Sequence, residues 1–265
     1  GNNETAAIGQ DFHFNAEVTA ADKIENVQVK IVQKSTETYS KIWSHEITWT
    51  QYAGAKNATV HKHFDIPENW KTEQDYSNAL IKKYRDQYKR ARKKADGILK
   101  RKMHLEDIIA YEDTIYELYH HVAKNAPFNT FFLAKNHFRI FKELLKDKFL
   151  FYGYFVDEKL IGFNTLIKNG KTMDTYFLGY DDTIQREKML YLNMLYDMIE
   201  YSINKGFEEI IFARTALEIK SSVGAKPQKM YGLMEHSNPL INKNIAKLFE
   251  YLEPEVDWKE RNPFK

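Results

Sequence analysis

The stretch Arg214-Thr215-Ala216-Leu217-Glu218-Ile219-Lys220 places a guanidinium, a carboxylate and an ammonium close together. Such a group can hold an anion or move a proton. Thr215 and Glu218 also have the T-x-x-E spacing of a capping box, which would satisfy the first N–H groups of a short helix. Downstream, Tyr231 alternates with Met230 as a strand residue would, and His236 precedes the turn-like Asn238-Pro239. His61 and His63 lie two apart, on one face of a strand, a spacing that suits a pair of metal ligands; His13 and His45 lie further off. No cysteine and no acidic third ligand accompanies them, so no metal is expected.

Between Lys82 and Lys102 there are eleven basic residues and two acidic ones, Asp86 and Asp96. A run of this kind reads as a solvated helix face, a polyanion site or a contact with an anionic membrane. Tyr84 and Tyr88 fall on the stripe Tyr76, Leu80, Tyr84, Tyr88 that should pack inward, which argues against the membrane reading.

These groups need elements to hold them. Period-two alternation predicts strands near 11–18, 26–33, 41–49 and 58–66, the last stopped by Pro67. From Thr72 the period becomes helical, and Gly97 ends that stretch. A short strand over Ile98–Met103 precedes helices at Leu105–Asn125 and 134–146, with Pro127 between them. Strands follow at Phe149–Val156, Leu160–Lys168 and Thr172–Leu178; Asp157-Glu158 and Asn169-Gly170 are the turns. A helix over 184–205, a strand at Glu209–Ala213, a short helix near 215–222 and a strand at Lys229–Glu235 complete the order.

The chain has 265 residues, 39 Lys plus Arg, 37 Asp plus Glu and no cysteine. That length suits one large domain or two modest ones. The absence of cysteine excludes disulfides, thiolate zinc sites and a cysteine nucleophile. No run of 18 apolar residues occurs. The start at Gly1 reads as processed or cut. Residues 1–73 hold 7 basic and 10 acidic residues, a net of −3, so the overall +2 averages two unlike pieces.

The stretches KYRDQYKRARKKA (Lys83–Ala95), TYFLGYD (Thr175–Asp181) and ARTALEIKSSVGA (Ala213–Ala225), with the ending RNPFK, resemble the GNAT acyltransferases, in particular the FemAB-like branch of bacterial N-acyltransferases. The resemblance covers about 75–265. It implies an α+β fold, a GNAT-like mixed sheet with helices on both faces, preceded by a small antiparallel β-sandwich-like segment. Residues 9–69 resemble an immunoglobulin-like bacterial surface-lipoprotein domain of unknown function, so the chain reads as a fusion. The expected divisions are a partial sandwich at 1–70, a basic connecting helix at 71–96 and an acyltransferase domain at 97–265.

The resemblance implies acyl-CoA held between two splayed strands, its pyrophosphate at the start of the following helix. It places donor contacts at Phe177, Gly179, Tyr180, Arg186 and Asn193. The usual glycine-rich loop is absent: Gly179–Glu187 has no internal glycine and carries Asp181 and Asp182, which suit helix capping better than a diphosphate. Aminoacyl-tRNA is therefore the alternative donor, with the 82–102 basic helix as its contact. Acyl transfer needs a neutral amine, which suggests Glu218 or His236 as base, Tyr231 as acid to a leaving thiolate, and Arg214 and Lys220 as acceptor contacts. The acyltransferase half implies the cytoplasm and the N-terminal half the cell envelope. The competing function is a non-enzymatic envelope binding module or a catalytically incomplete fusion.

Overall fold

The computed structural model describes residues 27–34, 41–49, 59–125, 132–213, 215–230 and 258–265, with 238, 240, 243, 244 and 247. Contacts divide the chain into two compact units, Gly1–Thr59 with Lys229–Pro254, and Val60–Gln228 with Glu255–Lys265. In the first, β1 (Val27–Lys34) and β2 (Lys41–Trp49) form an antiparallel pair in register Val29↔Ile47 and Ile31↔His45. The strand expected near 11–18 lies outside the described residues.

The third N-terminal strand goes elsewhere. β3 (Thr59–Asp65) pairs antiparallel with β8 (Glu209–Ile211) in the larger sheet of the second unit. The other strands of that sheet are β4 (Leu99–Lys102), β5 (Phe149–Val156), β6 (Lys159–Asn169), β7 (Thr172–Tyr180) and β9 (Lys226–Met230). Their order is β4-β5-β6-β7-β8-β3-β9. From β4 to β7 each pairing is antiparallel; β7 and β8 are parallel. Gly170, at φ 58, supplies the left-handed residue that the β6–β7 turn requires.

Helices cover both faces, which is why β5 and β6 are apolar almost throughout. One face carries α1 (Glu73–Ala79), α2 (Lys82–Lys94), α6 (Asp182–Lys188) and α7 (Leu190–Asn204), packed on Leu150, Tyr154, Ile161, Leu166 and Met173. The other carries α3 (Leu105–Ala110), α4 (Glu112–Lys124) and α5 (His137–Leu145), packed on Phe149, Phe151, Phe155, Leu160 and Phe163. A short α8 (Leu217–Ser222) follows β8.

Three helices expected to be continuous are broken. Leu80 (ψ 139) separates α1 from α2 and bridges Phe264, Tyr111 separates α3 from α4, and Met189 (φ 49) separates α6 from α7. None of these residues is Gly or Pro; at Leu80 and Met189 tertiary bonds accompany the break. At Met189 the buried Asn193 amide donates to the carbonyls of Lys188, Met189 and Ala91, joining the break to α2.

A polar network runs through the α2–α7 side. Arg92 of the basic run bonds Asp197 at 2.6 Å and also bonds Glu73. Asp197 accepts from Tyr154 at 2.8 Å, and Asn164 donates to the same hydroxyl at 2.8 Å. Burial lowers the Arg92 pKa, but Asp197 and Glu73 outweigh it and hold the guanidinium charged.

Candidate active site

β7 and β8 pair only over Thr172↔Glu209, Met173↔Ile210 and Asp174↔Ile211. The Thr175 hydroxyl then donates to the Ile211 carbonyl at 3.0 Å and closes the fork. Beyond it β7 continues to Tyr180, whereas β8 stops and the chain turns through Ala213 at φ 55. Residues 176–180 thus extend past the end of the β7–β8 pairing. An open strand edge offers backbone N–H and C=O groups to a ligand.

A bulge shapes this stretch. Asn164 faces Leu178 and Leu166 faces Thr175, so β7 holds one more residue than β6 across the interval. Thr165, fully buried, donates through Oγ1 to the Phe177 carbonyl at 2.6 Å. The extra residue turns Tyr176 and Phe177 to the same side, against the α3–α5 core; Leu178 and Tyr180 face the opposite core. Gly179 lies under α4, where a Cβ would sit 2.6 Å from Leu118 C and Tyr119 N. Its missing side chain lets helix and strand approach.

At the far end of β7, Asp181 caps α6 by accepting from Thr183 N at 3.0 Å, and Lys159 lies 3.5 Å from the same carboxylate. The helix start expected to hold a diphosphate is therefore occupied by an internal carboxylate. Burial raises the Asp181 pKa, but the Thr183 bonds and Lys159 outweigh it and leave it lowered.

On the β8 side Lys220 is 6 % exposed and its Nζ donates to the Phe212 carbonyl just past the strand. Burial lowers its pKa to about 7. Thr215 does not cap α8; Ala216, at φ 53, occupies that position. Glu218 instead forms a forked ion pair with Arg261 near the C-terminus, and Arg261 N donates to Ser221 Oγ at 3.0 Å.

The predicted site residues thus fall into three groups. Phe177, Gly179 and Tyr180 share the stretch of β7 that pairs with β6 but not with β8, with Lys220 anchored at the end of β8. Asn193, expected to face a ligand or solvent, is buried and bonded to three carbonyls; Arg186 is exposed on α6; Glu218 is engaged with Arg261. Arg214, Tyr231 and His236 lie outside the described residues.

Residues missed from the sequence are Thr165, Tyr176 and His137. His137 Nε2 lies 3.1 Å from the Tyr176 hydroxyl, and the rings stack at 5.8 Å and 22°. Only the hairpin register around Asn169-Gly170 brings Thr165 opposite the bulge, and no local motif marks it.

Of the histidines, His63 Nδ1 pairs with Glu209 across β3 and β8; His13 and the side chains of His45 and His61 lie outside the described residues. Among the described residues no group of three or more His, Asp or Glu can hold a metal. The basic run divides. Arg85 donates to the Leu80 carbonyl, Arg92 and Lys100 reach Asp197, and Arg101 reaches Asp107. Lys82, Lys83, Lys89, Arg90, Lys93 and Lys94 remain exposed on α2.

Residues 1–114 match a family described as a domain of unknown function, DUF4625. No curated protein matches the chain. Among solved structures, the crystal structure of FemX is similar at TM-score 0.53 and 11 % identity, over 74 % of this chain and 65 % of that one. The chain thus spans about two-thirds of that protein's length. The C-terminal domain (DUF2156) of a putative lysylphosphatidylglycerol synthetase from Agrobacterium fabrum matches at TM-score 0.43 and 10 % identity, over 66 % of this chain and 59 % of that one. An aminoglycoside acetyltransferase from an uncultured soil metagenomic sample, solved with sisomicin, matches at 0.34 and 11 %, over 64 % of this chain and 96 % of that one. The fold is α+β of the GNAT/Fem-like kind, with the mixed sheet and two helical faces expected from the sequence; the sheet has seven strands because β3 joins it.

Proposed function

We propose that the chain is an N-acyltransferase that moves an acyl group from acyl-CoA to an amine. The observation that carries this reading is the fork. β7 leaves β8 after Asp174↔Ile211, and the bulge at Tyr176-Phe177 presents an open backbone edge to an extended donor. A thioester placed there would meet backbone N–H groups from β7, which suit a carbonyl oxygen gaining negative charge. Lys220, whose Nζ donates to the Phe212 carbonyl just past β8, and Arg214 are the proposed acceptor contacts. Glu218 would need to leave Arg261 to act as a base.

A second donor has a specific observation in its favour. The Asp181 cap fills the helix start that a diphosphate would use, and six cations stand exposed on α2. That pair of features suits aminoacyl-tRNA, whose phosphates would contact the helix. The N-terminal unit is proposed as an immunoglobulin-like envelope module fused to this enzyme, which would connect the reaction with cell-envelope synthesis. Thermal shift of the full chain with acetyl-CoA, longer acyl-CoAs and aminoacyl-tRNA tests the reading. Stabilisation by one donor class supports it and names the donor; no shift with any of them contradicts it.

A further inference from the structure

We infer that Tyr176 and His137 form the proton-transfer pair for the acceptor amine, Tyr176 touching the amine and His137 receiving the proton. This rests on the acyltransferase reading above. Tyr176 sits on the bulge where β7 parts from β8, within two residues of the Thr175 bond that closes the fork. Its ring is held from several sides. Phe141 stacks on it at 5.2 Å and 14°, and Phe149 meets it edge-on at 6.4 Å. His137, the first residue of α5, lies in hydrogen-bond reach at 3.1 Å and packs against Phe141 with the rings tilted by 32° at 4.3 Å. Both side chains are only partly exposed, so the pair is fixed yet reachable.

The electrostatic surroundings are sparse. Burial alone lowers the imidazole pKa of His137, and burial with the Tyr119 phenol of α4 raises that of Tyr176 to about 12. The imidazole is therefore neutral near pH 7 and able to accept, while the phenol keeps its proton until the imidazole takes it. Glu218, the carboxylate first expected to be the base, is bound to Arg261.

The step balances without another reagent. The amine nitrogen attacks the acyl carbonyl and the N–C bond forms. The Tyr176 oxygen takes a proton from that nitrogen as its own passes to His137 Nε2. The bond from the acyl carbon to the donor sulfur then breaks, the leaving thiolate takes a proton from water, and the imidazolium returns its proton to solvent.

Nitrogen-detected NMR of the full chain reads the pair without any substrate. Nε2 should be the unprotonated nitrogen, titrating below the ordinary 6.5, and Tyr176→Phe should move both its shift and its midpoint. A His137 spectrum indifferent to Tyr176→Phe overturns the pair. Release of CoA from acetyl-CoA, with a panel of primary amines, then reads the role. His137→Gln should lower kcat by about 10²- to 10⁴-fold, leave the KM for acetyl-CoA unchanged and move the ascending limb of the pH profile to the pKa of the amine. Tyr176→Phe should behave alike, and the double variant should cost no more than either single one. An unmoved pH limb in His137→Gln overturns the role, as does a wild type that binds acetyl-CoA and accelerates no amine. If neither acyl-CoA nor aminoacyl-tRNA stabilises the chain, the acyltransferase reading fails first, and the NMR signature of the pair still stands or falls separately.

Discussion

The Thr165 hydroxyl donates to the Phe177 carbonyl at 2.6 Å, across the bulge that separates Asn164↔Leu178 from Leu166↔Thr175. This bond fixes the phase of β7. Before it the strand alternates normally; at Tyr176 and Phe177 two neighbours face the same core; after it the alternation resumes with Leu178. The open edge of the fork is built on that reset.

Thr165→Val keeps the side-chain shape and removes the donor. The Phe177 carbonyl then loses a buried partner, at a cost of about 1–3 kcal/mol. Urea unfolding should show that loss, and Thr165→Ser should recover most of it. Affinity for acetyl-CoA should fall with Thr165→Val and return with Thr165→Ser.

Arg92 joins Glu73, Asp197 and Glu200, and through Asp197 it reaches Tyr154. Arg92→Met leaves the Asp197 carboxylate, 7 % exposed, with weaker compensation. A loss near 3 kcal/mol is expected, at the lower end for a broken buried pair because the guanidinium is partly exposed. Chemical denaturation measures it, and an unchanged midpoint would remove the network from the account of stability.

Lys220 has a folded pKa of about 7 against an ordinary value of 10.5. Between those values the unfolded chain binds a proton that the folded chain does not, so the contribution of Lys220 to stability rises with pH. The slope approaches about 1.4 kcal/mol per pH unit midway through that window. Lys220→Met should flatten this rise. The wild type minus Lys220→Met difference, measured from pH 7 to 10, checks the sign; a difference that falls with pH would contradict it.

Reversing Lys89, Arg90, Lys93 and Lys94 to Glu removes most of the exposed charge of α2 and leaves Arg92 in its network. If aminoacyl-tRNA is the donor, tRNA retention at low salt should be lost and the salt slope should decrease. Equal retention by both forms would make this face a solvated surface.

Much of the second unit was legible, and the reasons are local. Phe149–Val156 reads as a strand from its aromatic run, Asn169-Gly170 reads as a turn, and Asp181 or Asp182 reads as a cap; the structure has the strand and the turn, and Asp181 is the cap. What could not be read depends on distant partners. The Met189 break is held by Asn193 in contact with Ala91, about a hundred residues away. β3 looked like part of the N-terminal segment because its alternation matches those strands, yet it joins β8 through His63↔Ile211. Glu218 fits a capping box locally, but Arg261 claims it. Phe177, Gly179 and Tyr180 were singled out through the TYFLGYD stretch, and they lie on β7 beyond its pairing with β8. Tyr176 and His137 were not, because one-residue bulges and cross-element pairs leave no spacing to read.

Hydrogen–deuterium exchange of the full chain, with and without acetyl-CoA, tests the central claim most directly. The account predicts binding that slows exchange across residues 176–180, the stretch of β7 that β8 does not pair beyond the fork. Binding that protects the cavity between Trp70 and Phe264 and leaves 176–180 unchanged, or no binding at all, would contradict it.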